Sequence, residues 1–142
     1  MHLRFSSRCR YRLMGAALSF TWGCAASPAA PSAIGNGVWG GQHVALTVSD
    51  AASHLEFDCA HGEIPLAFTV DGQRAFDLTG TFVREHGGPI REGETADVHP
   101  AEYRGTVTDN RMTLTLVLKD TREAIGTFTL IRGAPGQVFK CL

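Results

Sequence analysis

The side chains able to do chemistry are densest in residues 84–99. The segment reads Arg84-Glu85-His86-Gly87-Gly88-Pro89-Ile90-Arg91-Glu92-Gly93-Glu94 and runs on to Asp97 and His99. Arg84, His86 and Arg91 offer cationic donors to a polar ligand or a protein partner, and His61 and His99 add two imidazoles. His61, His86 and His99 with a neighbouring carboxylate have the donor types of a zinc site, but not the tight ligand spacing of a His-x-x-x-His pair. Glu92 and Glu94 could exchange protons with a substrate only if a cleft buried them. No nucleophile motif, glycine-rich phosphate loop or Cys-x-x-Cys is present, so no catalytic residue and no cofactor is assigned. Three readings of the segment stay open: a solvated connection, a recognition surface, and a metal-dependent enzyme site using the loop histidines. Connections longer than about 12 residues in small domains are usually functional or disordered.

What positions these residues is read from the ends of the chain inward. Arg4, Arg8, Arg10 and Arg12 precede an uncharged, mostly apolar run from Leu13 to Gly23, followed by small residues. This is the pattern of an export signal over residues 1–26, too short to span a bilayer as a helix. Two cleavages fit: a lipoprotein-type cut before Cys24, which would carry lipid, or an ordinary cut after Ala26. Residues 27–36, rich in Ala, Ser and Pro, read as a flexible tether. The expected location is periplasmic or membrane-anchored, with membrane contact only through lipid at Cys24. Beyond residue 27 lie all 14 acids but only 9 of the 13 Lys and Arg, a net charge of −5. A chain so balanced, with no basic stripe, is a poor nucleic-acid binder. Of the 4 cysteines, only Cys59 and Cys141 remain, and an even pair in an exported protein reads as a disulfide.

Residues 37–142 alternate apolar and polar side chains, the period of half-buried strands. Eight strands are expected: 37–48, 53–59, 64–70, 74–84, 101–108, 111–118, 124–132 and 137–141. Their inward residues include Leu46, Leu55, Leu66, Phe82, Tyr103, Leu114, Leu130 and Phe139. Gly40-Gly41 suggests a bulge in the first strand. Asp71-Gly72 and Asp109-Asn110 suit tight turns. The expected fold is all-β, an eight-stranded antiparallel up-and-down barrel, with a two-sheet sandwich as the alternative. Closure would remove the exposed sheet edges. In this topology Cys59 and Cys141 fall at the end where the tether enters, flanking Trp39, and the disulfide closes the floor of the barrel.

Gly37-Val38-Trp39 at the start of such a meander resembles the lipocalin and avidin group of barrels. That resemblance implies a Trp39 that plugs one end, an arginine from late in the barrel packed over it, for which Arg132 is the nearest candidate, and a small apolar ligand inside. Phe57-Asp58-Cys59 with Cys141 near the terminus also resembles the small periplasmic lysozyme inhibitors. The expected role is a non-catalytic binding module of lipocalin-like type. It would hold a small apolar ligand inside or a protein partner at the 85–100 loop end, or alternatively inhibit a cell-wall enzyme.

Overall fold

The computed structural model describes residues 29–141. The export signal, its cleavage site and Cys24 lie outside these residues. Among the described residues ten strands form: β1 (Ser32–Ala33), β2 (Gly37–Gly41), β3 (Val44–Val48), β4 (Ser53–Phe57), β5 (Ala60–Ile64), β6 (Thr69–Val70), β7 (Ala75–Arg84), β8 (Asp97–Thr108), β9 (Arg111–Leu118) and β10 (Ala124–Arg132). Eight of them close into an antiparallel barrel in the order β10-β2-β3-β4-β5-β7-β8-β9, while β1 pairs only with β6. The fold is all-β and closed, as the alternation implies, and the sandwich is excluded.

The eight barrel strands differ from those expected at four places, the first being that β8 begins at Asp97 rather than residue 101, so the expected 85–100 loop is shortened to 85–96 and His99 lies in the wall. Residues 37–48 are two strands, because the chain reverses at Gln42-His43 and His43 takes a left-handed φ of 65°. Residues 60–64, rather than 64–70, make the next wall strand. Leu66, expected inward, is 62% exposed, and Pro65, which has no N–H for a ladder, ends β5. Residues 137–141 form no strand. Gln137 alone bridges Gln42, in parallel, and Phe139, expected inward, is 68% exposed.

The extra hairpin reverses every later strand relative to the tether. One end of the barrel, the rim, gathers the β2–β3 hairpin, the turn at Asp58-Cys59, the 85–96 loop and the 119–123 turn. The other end, the base, receives the N-terminal segment. The Cys59–Cys141 disulfide forms, with Cα atoms 4.9 Å apart. It sits at the rim, not beneath Trp39 at the tether end as expected. Cys141 reaches it because residues 133–141 run back along the outside of the barrel as a strap. Gly40 leaves room for the strap: a Cβ there would stand 2.3 Å from the carbonyl carbon of Pro135. Gln137 N then donates to Gly41 O (2.9 Å), and Gln137 O accepts from His43 N (2.8 Å).

Large side chains fill the barrel. Trp39, Leu46, Leu55, Tyr103, Met112, Leu114, Leu116 and Leu130 are each buried below 2% exposure. Tyr103 lies across the backbones of Gly62 and Gly80, and its hydroxyl donates to Thr81 O at 2.6 Å. Burial pushes that hydroxyl's pKa up, so it stays protonated. The base is sealed by Ile34, Phe68 and Val70, with Phe68 edge-on to Phe76 at 4.8 Å. Ser32, Ala33 and Ile34, placed in the tether by composition, take part in this seal through the β1–β6 pair and a bond from Ile34 N to Phe68 O. Under the rim, Phe57 packs on Phe82 (5.6 Å) and Phe128 (5.3 Å).

Candidate functional site at the barrel rim

The polar residues singled out in the sequence are held at the rim by strand ends and connections. Arg84 ends β7, His61 lies in β5, His86 and Arg91 lie in the 85–96 loop, and His99 lies near the start of β8. The fold does not bring the three histidines together. Each pairs separately with acids. His61 Nδ1 donates to Glu85 Oε1 (2.7 Å). His86 Nε2 pairs with Glu94, while its Nδ1 donates to Gly87 O (3.0 Å). His99 Nδ1 donates to Asp120 Oδ2 (2.7 Å), and its Nε2 lies 3.0 Å from Asp97 Oδ1. Asp97 and Asp120 thus meet opposite sides of one ring rather than one point. Among the described residues no group of three His, Cys, Asp or Glu is arranged to hold a metal ion.

The arginines divide. Arg84 is neutralised by Glu123 (Nη2 to Oε2, 2.7 Å). The Arg91 guanidinium makes no ion pair among the described residues, while its backbone N donates to Glu94 Oε2 at 2.9 Å. The loop curls around a cleft of about 760 Å³, lined by His86, Gly87, Gly88, Pro89, Arg91, Glu92, Gly93 and Glu94. Gly88 and Gly93 turn the chain with φ of 89° and 81°, conformations that glycine adopts without a steric penalty. Ile90, at the tip, is 83% exposed. Two further cavities, about 310 and 70 Å³, lie at the base beside Phe76 and beside Ile34.

Comparison with family models, with curated proteins and with solved structures gives no match for this chain.

Sequence reasoning missed the residue that ties the rim together. Lys140 Nζ donates to both Glu85 oxygens (3.2 and 3.1 Å) and to Ala60 O (3.0 Å), and also pairs with Glu56. Its position next to Cys141 was the available signal, since a disulfide fixes its neighbours. Asp58 is a second such anchor: its Oδ1 accepts from Phe139 N (2.8 Å) and its Oδ2 from His43 Nδ1 (2.5 Å).

The pairing sets the electrostatics. The backbone bond from Phe139 and then the His43 bond hold Asp58 below the usual carboxylate range. The His61 bond does the same for Glu85, and Arg91's backbone N–H for Glu94. His86 is raised by Gly87 O and then Glu94, and His99 by Asp120 foremost. Lys140 is raised because Glu56 and Glu85 outweigh its partial burial. All five described histidines, His43, His54, His61, His86 and His99, are bonded to carboxylates. These groups hold one another in place.

Toward the base, Arg132 pairs in register with Trp39, and its guanidinium carbon lies 5.7 Å from the indole centroid. Gly37, with φ of 150°, opens β2 next to them. This contact holds the β10–β2 seam, which has only two registered pairs, Ile131 with Gly40 and Arg132 with Trp39.

Proposed function

We propose that the protein is an exported, non-catalytic binding module that engages a protein partner through its rim, with the 85–96 loop as the contact element. The observation that carries this reading is the contrast between interior and rim. The interior is packed with Trp39, Tyr103 and leucines, whereas the rim presents a curled loop, a cleft of about 760 Å³ and an exposed Ile90. A barrel of eight strands has room either for side chains or for one small ligand. Packing by side chains favours the partner at the loop end over an apolar ligand inside.

The export signal and the disulfide, which persists in oxidising compartments, support an exported location. Lipid on Cys24 would hold the base toward a membrane, because the N-terminal segment enters there, and the rim would then face away. The Trp39–Arg132 contact supports a lipocalin-like relationship. A protruding apolar tip on a loop fixed by ion pairs also suits the alternative of an inhibitor that enters an enzyme's cleft.

The test uses the full mature protein and a variant whose residues 86–94 are replaced by a short Gly-Ser linker. Both are cross-linked in the exported fraction of the cells that make them, and both are added to lysozyme assays. The reading expects specific cross-linked proteins with the native loop and their loss with the linker. Partners retained without the loop would overturn it, as would saturable uptake of an apolar fluorescent dye into the interior. Loss of lysozyme activity with the native loop alone would select the inhibitor form of the reading.

A further inference from the structure

We propose that His86 and His99 form a pH-operated latch on the 85–96 loop, closed while both imidazoles are charged and released when they become neutral. Each ring has two acceptors around it. His99 faces Asp120 with Nδ1 (2.7 Å) and Asp97 with Nε2 (3.0 Å). His86 faces Gly87 O with Nδ1 (3.0 Å) and Glu94 with Nε2. A neutral imidazole has one N–H and one lone pair, so it can serve only one of two acceptor oxygens. An imidazolium has two N–H groups and serves both. Each ring thus has an acceptor oxygen close to both nitrogens, an arrangement that the charged ring suits, and loss of the proton sets a nitrogen lone pair against an oxygen.

The two rings sit where the loop's position is decided. His86–Glu94 crosses the loop near its two ends. Glu94 in turn accepts from Arg91 N (2.9 Å), so the pair also fixes the turn at 91–94. Asp97 is the residue at which the loop joins β8. Through His99 it is fastened to Asp120 in the turn between β9 and β10. The other charged groups around His99 are Arg84, at the end of the neighbouring β7, and its partner Glu123. Next to His86, Glu85 is held by His61 and by Lys140, whose ammonium is raised above the ordinary lysine value by Glu56 and Glu85. The first residue of the loop thus keeps an attachment at all moderate pH values, and the latch acts on the remainder.

Both histidines are raised above the ordinary histidine value, His99 by Asp120 first and His86 by Gly87 O first. Their contribution is complete below the unfolded value of about 6.5 and is lost as pH rises through the higher folded value. The loop is accordingly held in mildly acidic medium and freed in mildly alkaline medium. The latch is a property of the loop; its bearing on partner capture rests on the reading proposed above.

Nuclear magnetic resonance of the mature protein tests it without any partner. Two amides report directly on the carboxylates: Arg91 N bonds Glu94 Oε2, and Thr121 N bonds Asp120 Oδ1. Their exchange with water, corrected for intrinsic pH dependence and referenced to Val107 N in the barrel wall, is followed between about pH 5.5 and 8.5. The corrected rates should rise by about tenfold, in step with the ring resonances of His86 and His99. His86→Gln/His99→Gln should exchange at the fast rate throughout. Flat corrected rates in the native protein would overturn the proposal, as would an unchanged rise in the double variant. If that variant fails to fold, Glu94→Gln/Asp120→Asn applies the same criterion from the acceptor side. A latch that titrates in a protein with no loop-dependent partner leaves the latch standing and removes the binding reading.

Discussion

Tyr103 and Gly62 can be used to ask whether the barrel interior is filled as described. A Cβ on Gly62 would lie 2.1 Å from the Tyr103 hydroxyl, 2.9 Å from Thr81 O and 3.3 Å from Cζ of the same ring. The closest approach is more than 1 Å inside ordinary contact, and Tyr103 has no free space to retreat into, since it is wholly buried. Overpacking of this kind costs about 1–3 kcal/mol. Displacing the hydroxyl from Thr81 O, now 2.6 Å away, adds about 1 kcal/mol. Gly62→Ala should therefore destabilise the protein by roughly 2–4 kcal/mol. Tyr103→Phe should cost about 1–2 kcal/mol, because it removes this hydrogen bond from Thr81 O. It also deletes the atom with which the new methyl collides, so the nearest neighbours become the carbonyl oxygen and the ring carbon. The double variant should then be more stable than the sum of the two losses by about 1–2 kcal/mol. Urea unfolding followed by far-ultraviolet circular dichroism gives all three values. Additivity within about 0.5 kcal/mol would refute the placement of Tyr103 over Gly62, and with it the packed interior.

Three further outcomes follow from the same structure. Replacing Cys59 and Cys141 together by alanine opens a loop with a sequence separation of 82 residues. The loss should be about 4–5 kcal/mol on the chain-entropy estimate, read as a lowered urea midpoint. Gly40→Ala places a methyl within 2.3 Å of Pro135, so the strap should lift from the barrel; limited proteolysis should then cut within residues 133–140 several times faster than in the native protein. Glu85, Asp58 and Asp120 have carboxyl groups lowered by His61, by Phe139 N and by His99 respectively. The stability they contribute is present above the unfolded values near 4 and is lost as pH falls through the lower folded values. Thermal midpoints should fall below about pH 4, and His61→Ala should flatten that fall.

How much of this could be read in the sequence varied with local pattern. Residues 111–118 alternate without exception, since Met112, Leu114, Leu116 and Leu118 all face the interior, and that strand lies where the pattern puts it. The strands 101–108, 74–84 and 124–132 were legible for the same reason. β5 was not, because its inward residues are Ala60, Gly62 and Ile64. The barrel needs Gly62 small so that Tyr103 can lie across it, and a glycine erases the alternation. The reversal at Gln42-His43 carries none of the Asn-Gly or Asp-Gly signals of a two-residue turn, so one long strand was the natural reading. Residues 137–141 imitate an alternating strand through Phe139 and Cys141, yet they are fixed from outside the wall by Gln42, Asp58 and Cys59.

At the rim, the histidines and arginines were visible as residue types, but their partners were not. His61 meets Glu85 24 positions away and Arg84 meets Glu123 39 positions away, pairings that exist only once the barrel closes. Those pairings change the reading of the residues. Side chains that offer donors to a ligand in the sequence are, apart from the Arg91 guanidinium, occupied in holding the rim together.

The central claim is that the protein binds with its rim, and Ile90 and Leu66 allow it to be tested directly. Both are exposed, and they lie at opposite ends of the barrel. A photoreactive amino acid is placed at one or the other in the mature protein and activated by light in the cells that produce it. The account predicts discrete adducts from position 90 and none from position 66. Equal adducts from the two ends, or adducts from position 66 alone, would contradict it.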